Sequence, residues 1–155
     1  MNSVNMIVWN EFLHDARVLK EAQTLQDAGY RVTVFALHTT GVTEKKQVLP
    51  DGIRIIRISR SPLWAWRQRR MARRGMPSGA VPPLGQVSHW KLLLRLMFRF
   101  WAHTEFCCKM IWHRADIIHA HDVNVLPTAW LAAKLSGARI VYDAHEISTS
   151  REGYN

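Results

Sequence analysis

The sequence predicts an α/β protein with a Rossmann-like parallel sheet and helices on both faces. Short apolar segments rich in β-branched residues alternate with amphipathic segments of helical period. A glycine ends the first predicted helix and leads directly into a second strand, as in a βαβ unit. The whole order is β-α-β-β-α-β-α-β, which indicates parallel strands joined by helical crossovers.

The first predicted βαβ unit opens the chain. Residues 4–9 (VNMIVW) are short, apolar and β-rich, which is typical of a buried strand. Asp15 can cap the next segment, and residues 16–28 carry apolar side chains on one helical face. Gly29 is expected to end that helix in the left-handed conformation that glycine tolerates. Residues 31–36 (RVTVFA) form the second predicted strand.

The rest of the chain adds three strands, two helices and an irregular segment within the same single domain. Asp51 and Gly52 make a turn before a strand over residues 53–58 (IRIIRI). Residues 60–88 lose periodicity and contain four of the six prolines, which predicts a mobile basic loop. The remaining predicted elements are an amphipathic helix over 89–114, a strand over 116–119, a helix over 123–136 and a strand over 139–142.

Positive charge is concentrated in the middle of the chain. There are 21 Lys and Arg against 12 Asp and Glu, a formal net charge of +9. Between Asp51 and Arg114 the sequence has 13 basic and two acidic residues, whereas the remainder has eight basic and ten acidic residues. A basic insert within a near-neutral framework predicts an anionic partner, such as a membrane surface, nucleic acid or a phosphorylated substrate.

Several classes of protein are excluded by the composition and motifs. The two cysteines, Cys107 and Cys108, are adjacent, which excludes a disulfide scaffold and fits a reducing, cytoplasmic compartment. No glycine precedes Gly29, so neither a dinucleotide-binding G-x-G-x-x-G motif nor a Walker loop follows the first strand. The longest apolar stretch, near residues 92–102, is shorter than the ~20 residues of a membrane-spanning helix.

Polar residues follow three of the predicted strands at their carboxyl ends. They are residues 10–15 (NEFLHD), 119–122 (HAHD) and 143–146 (DAHE). Ligands of open parallel sheets bind at this edge, so the three clusters together predict a binding cleft there. The cleft-lining candidates of the second cluster are His119, His121 and Asp122.

The histidine clusters also have structural interpretations. His119 and His121 share one face of an extended chain and could bind one metal ion. The sequence indicates no further ligands for such an ion, so no metal site is predicted. His119 can instead be a buried, hydrogen-bonded side chain, and Asp122 can cap the following helix. His145 can donate to a substrate hydroxyl or phosphate or act as a base, or it can be a structural imidazole bonded to a backbone carbonyl.

The basic insert has the composition of a membrane-binding surface. Lys91, Arg95 and Arg99 recur every four residues along the long helix, beside an apolar arc wider than one sheet face needs. Basic residues at an anionic surface contribute about 1 kcal/mol each, which predicts reversible membrane binding. The alternatives are a helix packed on its own sheet beside a solvated loop, or a nucleic-acid surface, for which no motif is present. The predicted loop over residues 60–88 also combines tryptophans with basic residues, which are the other membrane-binding candidates: Trp64, Trp66, Arg67, Arg69, Arg70, Arg73 and Arg74.

Three blocks of the sequence resemble glycosyltransferase family 4, in the same order. The resemblance implies the N-terminal half of a GT-B fold, on the acceptor side of a cleft between two Rossmann-like domains. It also implies transfer of a sugar from a nucleotide-sugar donor, with retention of anomeric configuration and without a metal ion. The blocks are residues 15–22 (DARVLKEA) with 29–34 (GYRVTV), residues 115–122 (ADIIHAHD) and residues 141–146 (VYDAHE).

The resemblance also implies roles for two short segments. His145 matches a family histidine that reaches the transferred sugar, and Glu146 beside it can orient that histidine. Many members have glycines in the loop that approaches the donor diphosphate, whereas this chain has none there, a departure that bears on how closely the backbone can approach phosphate. The matching loop residues are Phe12, Leu13, His14 and Asp15.

No segment resembles the family's donor domain, which we expect to be supplied in cis or by a second polypeptide. The isolated chain is therefore expected to bind no cofactor and to be inactive, with the nucleotide sugar a co-substrate of the complete enzyme. Many members act at the inner membrane face on lipid-linked or polysaccharide acceptors, in agreement with the basic insert. The alternative from a different class is a non-catalytic, membrane-associated adaptor or partner subunit that pairs with a separate donor domain.

Overall fold

The described part of the chain folds as a six-stranded sheet covered by helices. A computed structural model describes residues 2–60 and 89–144. The strands are β1 Ser3–Ile7, β2 Arg31–His38, β3 Lys46–Val48, β4 Arg54–Ser59, β5 Ile117–Ala120 and β6 Arg139–Tyr142. The helices within these ranges are α1 Ala16–Asp27, α2 His89–Trp112 and α3 Leu126–Ser136.

β1 lies in the middle of the sheet, whose strand order is β3-β4-β2-β1-β5-β6. It pairs in parallel with β2 and β5, while β2 pairs in parallel with β4 and β5 with β6. The carboxyl ends of neighbouring strands therefore meet at one edge, where Ile7 pairs with Phe35 and Ala120, and Ala120 pairs with Tyr142. This arrangement confirms the predicted Rossmann-like α/β fold.

Helices cover both faces of the sheet, as predicted. One apolar cluster joins α1 to the first face, and a second joins α2 and α3 to the other. Successive side chains of a strand point to opposite faces. Since Ile118 and Ala120 belong to the second cluster, the alternate residues His119 and His121 point toward the α1 side. The two histidines thus share a face with α1.

Local signals at the helix ends are confirmed. Asp15 is the N-cap of α1, and its Oδ1 accepts a hydrogen bond from Val18 N at 3.3 Å. Gly29 follows α1 with φ 85°, and Gly137 ends α3 with φ 75°. Glycine reaches this left-handed conformation without the steric cost that a Cβ imposes.

Apart from shifts of one or two residues at the ends of other elements, two features differ from the expectations. β3 is not predicted by the sequence, and it pairs antiparallel with β4 at the outer edge of the sheet. α3 begins at Leu126 rather than residue 123, because a turn comes first in which Val125 N donates to Asp122 O.

Within the described ranges no helix is both long enough and apolar enough to cross a membrane. The predicted helix over 89–114 is present as His89–Trp112. The predicted loop over 60–88 lies, apart from Arg60, outside the described residues.

Candidate functional site

Asn10 closes the loop between β1 and α1. Its Nδ2 donates to Asp15 Oδ2 at 2.9 Å, and its Oδ1 accepts from Phe12 N at 2.8 Å. Phe12 is buried, whereas Leu13 and His14 are exposed. The structure therefore places the four predicted donor-loop residues in a compact turn at the carboxyl edge of the sheet.

Phe12 adopts a backbone conformation that usually requires glycine. Its φ of 52° is the one positive value at a non-glycine position among the described residues. The left-handed conformation costs a residue with a Cβ roughly 1–2 kcal/mol. Burial offsets that cost, because Phe12 is 7% exposed and packs in the apolar cluster that contacts α1. The loop thus makes its turn without the glycines that it lacks.

Arg57 on β4 holds the same loop in place through a hydrogen bond to its backbone. Its side chain is buried, with Nε 3.0 Å from Glu11 O and Nη1 3.0 Å from both Glu44 O and Gln47 Oε1. Burial lowers the pKa of the guanidinium, and the charge of Glu44 opposes that shift. Arg57 was not among the predicted site residues, although a charged residue within an apolar strand is the signal that marks it.

His119 and His121 lie together at the end of β5. Their ring centroids are 4.1 Å apart, with 38° between the ring planes. His121 Nδ1 lies 3.5 Å from Glu21 Oε2 on α1 and 3.9 Å from Asp143 Oδ2, which directly follows β6. The structure thus joins the second and third predicted clusters and adds Glu21. The signal for Glu21 was its place in the block at residues 15–22.

His121 is a neutral imidazole at neutral pH. The residue is 2% exposed, and this burial is the main reason that its pKa falls from 6.5 to about 4. The neighbouring His119 and Arg17 lower the pKa further, whereas Asp143 and Asp15 oppose the shift. A neutral ring keeps one nitrogen lone pair available as an acceptor or ligand.

Asp122 does not cap α3, so that expectation was wrong. Its Oδ2 accepts from Trp9 N at 2.9 Å, and the N-cap residue of α3 is Val125, without a side-chain cap bond. The extra turn before the helix moves its first amides beyond the reach of Asp122. Asp122 instead joins the end of β1 to the end of β5, the two strands that carry the loop and the histidines.

Two residues of α2, Arg99 and His103, contact other parts of the protein. The Arg99 guanidinium lies 5.3 Å from the centroid of the Trp9 ring, and its Nη2 donates to Asn124 Oδ1 at 2.9 Å. His103 stacks on Trp9 with 4.5 Å between ring centroids, and its Nδ1 is 2.7 Å from Thr128 Oγ1. These contacts attach α2 to α3 and to the end of β1.

The first half of α2 presents an exposed apolar surface. Arg95 is exposed beside it, and full burial within the helix begins at Ala102. The predicted membrane-binding residues from Trp64 to Arg74, and the side chain of Lys91, lie outside the described part of the chain. We call the following residues the α2 outer face: Trp90, Leu92, Leu93, Leu96, Met97, Phe100 and Trp101.

The predicted catalytic pair, His145 and Glu146, also lies outside the described residues. The last part of the chain before them is held at the carboxyl edge, since Asp143 N donates to Ala120 O at 3.0 Å.

Two depressions flank opposite edges of the sheet. The loop at residues 12–15 and Arg57 line one of about 270 Å³. A larger one, about 680 Å³, lies at the amino-terminal edge beside Arg31, Arg114 and Arg139. Because parallel sheets bind ligands at the carboxyl ends of their strands, the smaller depression belongs to the candidate site.

Comparison with one solved structure supports the fold. Sucrose-phosphate synthase from Thermosynechococcus elongatus is similar, with a TM-score of 0.60 and 14% identity over 96% of this chain and 34% of that chain. MurG from Acinetobacter baumannii matches with a TM-score of 0.46 and 16% identity, over 92% of this chain and 35% of that chain. This chain therefore spans about a third of the length of either structure.

Comparison with protein families identifies the chain. No curated protein sequence matches it significantly. The family model of the glycosyl transferase 4-like domain matches residues 15–154, which include the N-cap residue Asp15, both clustered histidines and Asp143. The chain belongs to the glycosyl transferase 4-like family.

Proposed function

We propose that this chain is the N-terminal, acceptor-side domain of a retaining glycosyltransferase. The complete enzyme would transfer a sugar from a nucleotide-sugar donor to a lipid-linked or polysaccharide acceptor. The observation that carries the proposal is that the ends of β1, β5 and β6 meet at one edge of the sheet, where Trp9 N donates to Asp122 Oδ2 and His121 lies beside Asp143. The loop at residues 10–15 follows the first of these strand ends. Parallel sheets bind ligands at this edge, and membership of the family supplies the class of reaction.

The start of α1 supports the assignment of the donor-diphosphate side. Helix amino termini carry free amides and a positive dipole, which favour a phosphate. Asp15 satisfies one of these amides, that of Val18. Leu13 and His14 are the exposed residues of the loop, so they are the ones that we assign to face the diphosphate.

His145 and Glu146 are the proposed catalytic residues. In this mechanism His145 donates a hydrogen bond to a hydroxyl of the transferred sugar, and Glu146 orients the imidazole. The donor domain binds the nucleotide and stabilises the leaving diphosphate. The purified 155-residue chain is therefore expected to transfer no sugar when it is supplied with nucleotide sugars and acceptor. Measurable transfer would contradict the assignment of nucleotide binding to a separate donor domain.

The role of His145 can be tested in a complete polypeptide that carries both domains. His145→Ala should lower kcat by roughly 10²–10⁴, the range typical for loss of a proton-transferring or polarising group. His89→Ala is the matched control, because His89 is exposed at the start of α2 and should leave turnover unchanged. If both variants turn over substrate like the parent, His145 has a structural role instead.

The α2 outer face supports a peripheral location on the cytoplasmic face of the inner membrane. Large exposed apolar patches mark interaction surfaces, and tryptophans beside cations suit the depth of lipid headgroups. Arg95 and the arginines of the preceding sequence segment, residues 60–88, supply the charge that anionic lipids attract. Interfaces with nucleic acid are more polar than this surface, which favours lipid as its anionic partner.

The same surface favours one alternative, a non-catalytic adaptor or partner subunit that pairs with a separate donor domain. In that case the α2 outer face would be a protein interface. A lipid-independent complex with a donor domain, disrupted by Phe100→Glu, would favour the alternative. Vesicle binding that Phe100→Glu disrupts would favour the membrane assignment.

A further inference from the structure

Four potential metal ligands converge at the carboxyl edge of the sheet. They come from three elements: Glu21 from α1, His119 and His121 from the end of β5, and Asp143 from the end of β6. Each offers one ligand atom, and these atoms all lie within 4.8 Å of one another. Ligands around a tetrahedral zinc ion are roughly 3.3–3.6 Å apart, given metal–ligand bonds of about 2.0–2.2 Å. Shifts of under about 1 Å per atom would therefore close the four ligands on one ion.

His121 gives an independent indication of a ligand. Its side chain is almost fully buried, and neither ring nitrogen makes a hydrogen bond within the described residues. Two carboxylate oxygens, of Glu21 and Asp143, stand 3.5 and 3.9 Å from Nδ1, at ion-pair rather than hydrogen-bond separations. A buried polar atom without a hydrogen bond is costly, so a native protein usually satisfies it with another group. A metal ion at Nδ1 would satisfy that one of the two nitrogens.

We propose that Glu21, His119, His121 and Asp143 bind one divalent transition-metal ion, Zn²⁺ by preference. Two imidazoles with two carboxylates suit zinc, cobalt and nickel, whereas Ca²⁺ and Mg²⁺ require more oxygen ligands. The two carboxylates also balance the charge of the ion. Neutral imidazole is the form that binds metal.

The proposed ion has a structural role. Four protein ligands fill the coordination of zinc, whereas catalytic zinc keeps one position open. The ion would join α1, β5 and β6 beside the predicted cleft and fix the edge from which the chain continues toward residue 145. The inference does not rest on sugar transfer, because binding can be measured without any substrate.

The test uses the purified 155-residue chain, stripped of metal with a chelator and then dialysed. Titration with ZnCl₂ against a chromophoric chelator should show one equivalent bound, and Co²⁺ should give the visible absorption of a four-coordinate site. Zinc at a hundredfold excess over Kd should raise the midpoint of thermal unfolding by roughly 5–10 °C. Absence of saturable binding would overturn the proposal.

Substitutions of two proposed ligands and of two control residues test which side chains bind the ion. Glu21→Gln is nearly isosteric and should weaken Zn²⁺ binding at least about tenfold, and His121→Ala should weaken it further. His89→Gln removes an exposed histidine elsewhere and should change nothing. Cys108→Ser should also bind normally; loss of binding in that variant would assign the ion to the free thiols and overturn the proposal. Unchanged binding in both Glu21→Gln and His121→Ala would overturn it as well.

Discussion

At the scale of single residues, the strained conformation of Phe12 makes a comparison of two substitutions informative. Phe12→Ala should destabilise the fold by about 3–5 kcal/mol, because a buried aromatic ring is lost. Phe12→Gly loses the same ring, but it also relieves the left-handed strain, which is worth roughly 1–2 kcal/mol. The glycine variant should therefore be at least as stable as the alanine variant in urea unfolding.

The matched control for this prediction is Leu19, which lies within α1. There the order should reverse, with Leu19→Gly about 1 kcal/mol less stable than Leu19→Ala, because glycine is a poor helix former. If Phe12→Gly is less stable than Phe12→Ala by a similar margin, the positive φ of Phe12 stores no strain.

Residues whose roles depend on their sequence neighbours were predictable, whereas those that depend on distant partners were not. Asp15 and Gly29 act within one turn of a helix, so a local pattern reveals them. Arg57 is satisfied by carbonyls 13 and 46 residues away in sequence, which no local pattern encodes. Asp122 illustrates the opposite error, since its local capping pattern was overridden by a bond to Trp9.

At the scale of elements, the α2 outer face predicts membrane binding that depends on position along the helix. Phe100 is 75% exposed within that face, so Phe100→Glu should leave the fold intact. It should weaken co-sedimentation with anionic vesicles by roughly tenfold, because an apolar side chain is lost from the lipid contact. Trp64→Ala and Trp66→Ala, combined with Arg69→Glu and Arg70→Glu, should weaken binding too.

Trp112→Glu is the control for Phe100→Glu. Trp112 is 85% exposed on the same helix, but it lies at the end where the helix packs on the sheet. Binding should change little in this variant. Equal effects of Phe100→Glu and Trp112→Glu would show that only net charge matters, and binding that is indifferent to lipid charge would contradict the electrostatic part of the assignment.

The elements themselves were mostly predictable because their hydrophobic periods are clear. The strands of the core are apolar on both faces, as buried parallel strands must be, and glycines mark the ends of α1 and α3. β3 escaped prediction because it has three residues, none of them buried, and exists through its pairing with β4. For α2, likewise, the sequence pattern showed more apolar residues than one sheet face needs, but it did not show which side of the helix would be exposed.

At the scale of the whole molecule, several histidines respond to acid in the same direction. The pKa values of His38, His103, His113 and His121 all lie below the ordinary value, with burial as the largest cause in each case. Positive neighbours add to the effect, including Arg99 beside His103 and Lys45 beside His38. The folded state therefore binds fewer protons than the unfolded state near and below pH 6.5.

This difference predicts a loss of stability on acidification. The histidine contributions are fully present above pH 6.5 and are lost as the pH falls toward the lowered folded-state pKa values, since the unfolded state gains protons first. For His121, whose pKa is about 4, the loss should amount to about 3 kcal/mol between pH 7 and pH 4. The free energy of unfolding of the chelator-treated chain, measured with urea between pH 7 and pH 4, tests this loss. His121→Ala should flatten the profile, and stability that is constant or rises toward pH 4 would contradict burial of a neutral ring.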